Sequence, residues 1–396
     1  MKVTRMISWM LMMALILGCA AFPAGAEGEK IVLTIVGAED FIGSNTRILK
    51  AAEAFEAENP GYTVKLTRMP KDVDVLAAVA EGQEGYDILA LDETNTLGFK
   101  LSGNLYDFSE NAVIAENLSQ YIDMPFLWEA DGSLYGMPVF VQPLIYRATV
   151  ADLEAVQIDI PAEWTWEEFF ALADEARAKD RLFAMSMLDA NWARRQYHCV
   201  YSDFFTGTLN YDTDAFRTLA EGWKELDDYN WTVSGKLPNA VLNESYIWWS
   251  GDFMEMEPIV DISLPRIDGK TVTPVEVKAL YANKNGANLD AAVRFLEIYS
   301  SKEVQKEFFD GQNGAFLPDL TESAMYEMFS QFDNYIPTEE EFAAYTDAIA
   351  TGCQIYIDKE FESTERKLFT QFVRDEITLD ELVVQLQEAA DARFAQ

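Results

Sequence analysis

From residue 31 onward, apolar and polar positions follow one another in recognisable patterns. Ile31-Val32-Leu33-Thr34-Ile35-Val36 is an apolar run rich in β-branched residues and closed by Gly37, which predicts a buried strand. Ile48, Ala52 and Phe55 then recur at helical spacing, with Arg47, Lys50, Glu53 and Glu56 between them. An amphipathic helix with those charges toward solvent is predicted, stopped by Asn59-Pro60-Gly61. Val64-x-Leu66 predicts a second strand, Val73 to Val79 a second helix, and Tyr86 to Leu91 a third strand. Strands and helices alternating at this spacing imply βαβ units, and hence the α/β class with an open, mainly parallel sheet flanked by helices.

Later helices are marked by Ser or Thr followed three residues on by Glu, the reciprocal cap in which each side chain serves the other's backbone N–H. Thr165…Glu168, Ser300…Glu303, Thr338…Glu341 and Thr378…Glu381 fit it, and Thr378 to Phe394 reads as a terminal helix. Glu339-Glu340-Glu341 suits a first turn, where the helix dipole favours negative charge. Neither an internal repeat nor a low-complexity linker divides the chain, which points to domains that exchange the chain several times. Ahead of all this, Lys2 and Arg5 precede an apolar run from Met6 to Leu17, the pattern of an export signal. Ala24-Gly25-Ala26 fits a cleavage site ending residues 1–26, and Ile16-Leu17-Gly18-Cys19 fits equally a lipobox that would lipidate Cys19. The run is short for a membrane span, and no later stretch approaches one.

Length changes the picture modestly: 396 residues at roughly 150 per domain make two or three domains. Charge changes it more. Lys and Arg number 30 against 67 Asp and Glu, a formal charge of −37. No basic stripe is available to track phosphates or an anionic bilayer, so nucleic-acid partners and polybasic membrane docking are excluded. The acidic surface keeps the chain soluble and biases it toward neutral or cationic ligands. Beyond the leader two cysteines remain, Cys199 and Cys353, which either bridge in an oxidising compartment or lie apart as buried thiols. With one histidine and no CxxC or HExxH spacing, no metal site is expected, and no cofactor motif is present. His198 has no nucleophile pattern beside it, and GxSxG, Walker A and GxGxxG are missing, so His198 reads as a structural residue.

Several stretches in order resemble the bacterial extracellular solute-binding proteins of family 1, the oligosaccharide-binding receptors of ABC importers. Ala51 to Gly61 resembles the family's first helix and its stop, Gly85-Tyr86-Asp87-Ile88 its third strand, and Gly103 to Phe108 its Leu-x-x-Leu region. Asp131-Gly132-Ser133-Leu134-Tyr135-Gly136-Met137-Pro138 resembles the Asp-Gly-x-x-Tyr-Gly-x-Pro run before the first crossover. Trp164-Thr165-Trp166-Glu167-Glu168-Phe169 resembles a helix start, and Ala291 to Gln305 a late helix pair. One place departs: where the family carries Gly-x-x-Ala-Met, this chain has Glu244-Ser245-Tyr246-Ile247-Trp248-Trp249-Ser250-Gly251-Asp252. The resemblance implies two lobes that close on a solute by hinge motion, joined by three crossovers near Pro138–Tyr146, Val275–Tyr281 and Ala315–Pro318. Lobe 1 would hold residues 30–140 and 281–315, and lobe 2 residues 145–275 and 318–396. It also implies a monomeric, non-enzymatic receptor outside the cytoplasmic membrane, with a membrane permease as partner.

In open parallel sheets ligands sit beyond the carboxyl ends of the strands, which selects Asp40 after the first strand and Asp92, Glu93 and Asn95 after the third. The alternative is that each caps the next turn. Sugars need aromatic faces plus hydrogen-bonding carboxylates and amides, and 13% of the residues are aromatic. Trp248 and Trp249 are the foremost candidates, since adjacent rings on a strand point to opposite faces. Tyr246 shares a side with Trp248; Trp192, followed by Arg194-Arg195, is a further candidate, and Gln142 and Tyr146 lie at the first crossover. Two rival readings remain: a polyamine or other cationic solute, suited by carboxylates beside aromatic walls, and a secreted glycoside hydrolase, whose catalytic equipment is a carboxylate pair.

Overall fold

A computed structural model describes residues 30–38, 45–184, 192–233, 240–246, 259–307, 316–318 and 339–394. The leader with Cys19, Asp40, Trp248, Trp249, the Thr338 cap and Ala315 lie outside the described residues. Strand β1 (Ile31–Gly37) is followed by helix α1 (Thr46–Glu58), β2 (Tyr62–Arg68), α2 (Val75–Ala80) and β3 (Ile88–Leu91). β1 lies between β2 and β3 and pairs with both in parallel. The first two residues of β1 are exposed and the other five buried. Asp74 accepts from the Ala77 N–H and starts α2 two residues later than the apolar pattern predicts, leaving Val73 exposed. Asp87 stays outside β3 because its carboxylate accepts from the Thr34 N–H at 2.8 Å and the Asn288 amide at 3.0 Å.

One charge expected in solvent is buried. Arg47 of α1 is 1% exposed, donating to the Val139 carbonyl at 2.8 Å and to Gln305 at 3.0 Å, with its guanidinium 4.7 Å from the Phe316 ring centroid. A guanidinium with its donors paired and a ring beneath it loses little on leaving water.

Helices α3 (Thr96–Leu101) and α4 (Ala112–Leu118) lead to β4 (Gly136–Thr149), the longest strand. Its approach is the Asp131–Pro138 motif. Asp131 accepts from the Ser133 N–H at 2.9 Å, Gly132 has φ +88°, and the Leu134 N–H donates to Asp107 at 3.0 Å. A Cβ on Gly136 would lie 2.6 Å from the Tyr281 ring, so the ring packs where a side chain would stand.

Helices α5 (Val150–Val156), α6 (Trp166–Arg177) and α7 (Trp192–Tyr201) follow, then the short hairpin β5 (Ser202–Asp203) and β6 (Thr208–Leu209). Next come α8 (Asp214–Val233), β7 (Asn243–Tyr246), β8 (Ile259–Ile262) and β9 (Thr273–Ala282). The chain ends with α9 (Leu289–Tyr299), α10 (Lys302–Gln305), α11 (Glu339–Ala350), β10 (Gly352–Gln354), α12 (Lys359–Val373) and α13 (Leu379–Phe394). The reciprocal caps at Thr165/Glu168 and Thr378/Glu381 form as expected. At the third site the cap is Ser301, accepting from the Val304 N–H, because Ser300 already closes α9 and its hydroxyl donates to Glu297.

The main sheet runs β2-β1-β3-β9-β4-β7, with β10 beside β9 and β8 beside β4. Its first three strands are parallel, as the βαβ units imply; β9 enters antiparallel between β3 and β4, and β7 and β8 pair antiparallel with β4. Buried side chains form two cores, giving the two-lobed α/β architecture. The first gathers Leu33, Phe55, Phe108, Val141, Val277 and Phe295, and the second Tyr146, Trp164, Phe169, Trp223, Phe369 and Leu386. Tyr345 and Ile349 of α11, within the stretch expected in lobe 2, lie in the first core, and Phe361 of α12 lies in the second. Tyr146, considered at the crossover as a residue facing the cleft, is 1% exposed and stacks on Phe169 at 5.7 Å inside the second core.

Cys199 of α7 and Cys353 of β10 form a disulfide with Cα atoms 5.9 Å apart. Near it, His198 pairs with buried Glu365 of α12 at 2.9 Å and with Ser202 at 2.8 Å, while the Tyr211 hydroxyl donates to Glu365 at 2.7 Å. Burial alone would raise the Glu365 carboxyl; the charges of His198 and Arg194 and two hydrogen bonds overcome it and pull the carboxyl down to about 2. Replacing one member of such a buried cluster leaves the others uncompensated. Glu365→Gln is therefore expected to lower stability by roughly 3 kcal/mol, read as a lower urea midpoint at unchanged slope.

Candidate functional site

Strand β9 carries two charged residues within an apolar strand: Val275-Glu276-Val277-Lys278-Ala279. Side chains alternate across a strand, so Val275, Val277 and Ala279 enter the first core while Glu276 and Lys278 share the opposite face. On β4 the register sets Gln142 opposite Glu276 and Phe140 opposite Lys278, whose ammonium lies 5.0 Å from the Phe140 ring centroid. This face of the ladder is a polar floor between the two cores.

Two walls come from β7 and from α7, whose Trp192 packs against the second core. The Tyr246 hydroxyl, at the end of β7, donates to Glu276 Oε1 at 3.0 Å. Trp192 opens α7; its indole N–H donates to the carbonyls of Ile145 at 3.0 Å and Ser245 at 3.2 Å, and its backbone N–H donates to Glu244 at 3.0 Å. The Trp192 and Tyr246 rings meet edge to face at 5.4 Å. Each ring is thus held at its polar atom, leaving its orientation little freedom.

The wall from the first core is Glu93, just past β3. Its carbonyl accepts from the Ile357 N–H at 2.9 Å, and its Oε2 is buried with no hydrogen-bond partner among the described residues. Burial, then the neighbouring Asp92 charge, raises the Glu93 carboxyl. Burial and next the Glu93 charge push Glu276 up to about 7, against the opposing pull of Tyr246, Lys278 and Arg195. Burial and then Glu276 likewise raise the Tyr246 phenol, which stays protonated as a donor. Arg195 is held elsewhere: it and Arg194 both donate to Glu362 at 2.7 Å.

Four sequence candidates therefore come together here: Glu93, Gln142, Trp192 and Tyr246. Asp92 and Asn95 do not join them. Asp92 Oδ1 accepts from the Thr94 hydroxyl at 2.8 Å, the Asn95 amide at 2.7 Å and both residues' backbone N–H groups, closing the turn into α3. Asn95 instead lines a cavity of about 680 Å³ reached by Val75 and Phe99 of the first core and by Phe394 of the second. Glu276, Lys278 and Phe140 were not selected from sequence, although a Glu and a Lys two apart in an apolar strand are a legible sign of one polar face. No group of three or more potential metal-ligating side chains occurs among the described residues, and no described helix is long and apolar enough to cross a membrane.

The profile of a bacterial extracellular solute-binding protein family matches residues 50–351, and the chain belongs to that family. No curated protein matches it in sequence. Solved structures share the fold at low identity. An ABC substrate-binding protein from Listeria monocytogenes in complex with cycloalternan has a TM-score of 0.62 at 15% identity, over 92% of this chain and 99% of that one. The cyclic α-maltosyl-1,6-maltose binding protein from Arthrobacter globiformis gives 0.66 at 15% identity, over 92% and 98%. A sugar transporter from Rhizobium etli in an open conformation gives 0.64 at 14% identity, over 91% and 99%.

The raised Glu276 carboxyl has a signed consequence for stability. Its folded value, about 7, stands above the ordinary 4.5, so the fold prefers it protonated. Its stabilisation is complete below pH 4.5 and is lost as the pH rises through about 7. Glu276→Gln keeps the shape without the charge, so the fall in Tm between pH 4.5 and 7.5 should be shallower than in the native protein. Parallel slopes in thermal melts would refute the assignment.

Proposed function

We propose that this protein is the exported receptor of an ABC importer, that it closes two lobes on an oligosaccharide, and that it delivers the sugar to a membrane permease as a monomer. The observation that carries the reading is the floor between the cores: Gln142 and Glu276 on the crossover ladder, flanked by Trp192 of α7, Tyr246 of β7 and Glu93 just past β3. Aromatic rings offer faces to the C–H surface of a sugar, and carboxylates and an amide accept and donate to its hydroxyls. Groups from both cores meet there, so lobe closure would complete the site. Family membership and the sugar-binding relatives of the same fold support this reading.

On this reading Trp248, Trp249 and Asp40 are further candidate ligand contacts. The lobes divide at β4, β9 and β10, since packing gives α11 to the first core and α12 to the second. Residues 1–26 serve as the export signal, or Cys19 carries a lipid. The protein acts without chemistry on its ligand and needs no cofactor.

One observation favours a second ligand class. Two half-buried carboxylates beside two aromatic rings also suit an ammonium group. Amine binding would weaken steeply with salt, whereas sugar binding would hardly change.

The test is a thermal-shift and calorimetric screen of gluco-, xylo- and chito-oligosaccharides against polyamines. A sugar at 100 times its Kd should add about 2.7 kcal/mol of stability. Trp192→Ala should lower the affinity for that sugar by about 2 kcal/mol, roughly thirtyfold. Binding of polyamines alone would overturn the sugar, and release of shortened oligosaccharides would overturn the receptor reading in favour of a hydrolase.

A further inference from the structure

Helix α7 begins with Trp192 and is fastened to the crossover ladder along one face. Trp192, Gln196 and Cys199 stand at i, i+4 and i+7, which brings all three to the same side of a helix. Trp192 donates to carbonyls of β4 and β7, as described above. One turn on, the Gln196 amide donates to the carbonyls of Pro265 at 2.8 Å and Val272 at 2.9 Å, the latter just ahead of β9. Two turns on, Cys199 is bonded covalently to Cys353 of β10. β10 pairs in parallel with β9, Cys353 beside Pro274 and Gln354 beside Val275, the residue before Glu276. β10 is anchored in turn by Gly352, where a Cβ would meet the Phe126 ring of the first core at 2.6 Å.

We propose that Cys199 and Cys353 are positioning residues of the binding site: their bridge clamps α7, and with it Trp192, against the strands that carry Glu276, and its removal weakens solute capture without unfolding the chain. This rests on the reading of the site given above. Arg194 and Arg195 donate to Glu362, and His198 pairs with Glu365, which joins α7 to α12 as well. Without the bridge, the hydrogen bonds of Trp192 and Gln196, together with packing, remain to fix this helix face relative to Glu276. A wall held less firmly must be ordered by the ligand at the moment of binding, which lowers affinity with every contact still available.

The test compares the native protein with the Cys199→Ser/Cys353→Ser variant by hydrogen exchange and by binding of xylo-, chito- and gluco-oligosaccharides. The expected result is faster exchange confined to residues 192–201 and 243–246, unchanged protection in α8 and α13, and roughly tenfold weaker affinity arising mainly from faster dissociation. Unchanged exchange in α7, or uniform loosening of the whole chain with affinity intact, would overturn the proposal and leave the bridge a general stabiliser. Should the native protein bind none of these sugars, the sugar reading fails. Exchange then decides the clamp by itself: a local increase supports it, and no increase overturns it. If the variant does not fold, the native protein reduced with a phosphine gives the same comparison.

Discussion

The antiparallel pairing of β4 with β9 is the constraint on which the rest of this structure depends. Both strands are long; β4 passes from the first core, at Val141 and Ile145, to the second, at Tyr146 and Ala148, while β9 packs against the first core along its length. Their pairing runs from Gly136↔Tyr281 to Pro143↔Val275 with one irregularity between Pro138 and Phe140. A register in an antiparallel ladder fixes every side chain to a face, because a slip by one residue turns the whole set over. Here it sends Val141, Val277 and Ala279 into the first core and leaves Gln142 and Glu276 as a floor. The elements that surround this floor are tied to the ladder: Arg47 holds α1 to Val139, Trp192 holds α7 to Ile145, and Arg147 holds β8 through Asp261 at 2.6 and 3.1 Å.

The parts of this fold that could be read from sequence are those decided locally. β1, α1, β2 and β3 announce themselves by apolar periodicity and by stops such as Asn59-Pro60-Gly61, and the structure places them within a residue or two. The reciprocal caps at Thr165 and Thr378 are local too. What escaped depends on distant chain. Arg47 has the sequence context of a solvent-facing charge, and only the carbonyl of Val139 and the side chain of Gln305 make its burial tolerable. The insertion of β9 between β3 and β4 joins segments that no local pattern links.

The site divides along the same line. Reasoning from strand ends and aromatic residues selected Glu93, Gln142, Trp192 and Tyr246, which meet although they come from four separate segments. The same reasoning selected Asp92 and Asn95, and there the turn from Asp92 to Asn95 pairs the two side chains with each other. Glu276 and Lys278 mark a polar face within their strand, but what that face meets is decided by the opposite strand and its register. Glu93, just past the neighbouring strand β3, adds its charge to the burial that raises the Glu276 carboxyl to about 7, and burial raises the Glu93 carboxyl in turn.

The Asp131–Pro138 stretch, by which the chain was first related to other receptors, has a role unlike that of the floor. Asp131 folds a turn, Gly132 supplies a left-handed backbone, and Gly136 makes room for a ring, all to deliver the chain into β4 at the right angle. None of these groups faces Glu276 or Trp192. In this chain the motif serves architecture: it sets the geometry of entry into the ladder. On the proposed reading, a change at position 93, 142, 192, 246 or 276 would remake the floor and its walls while leaving this entry into the ladder as it is.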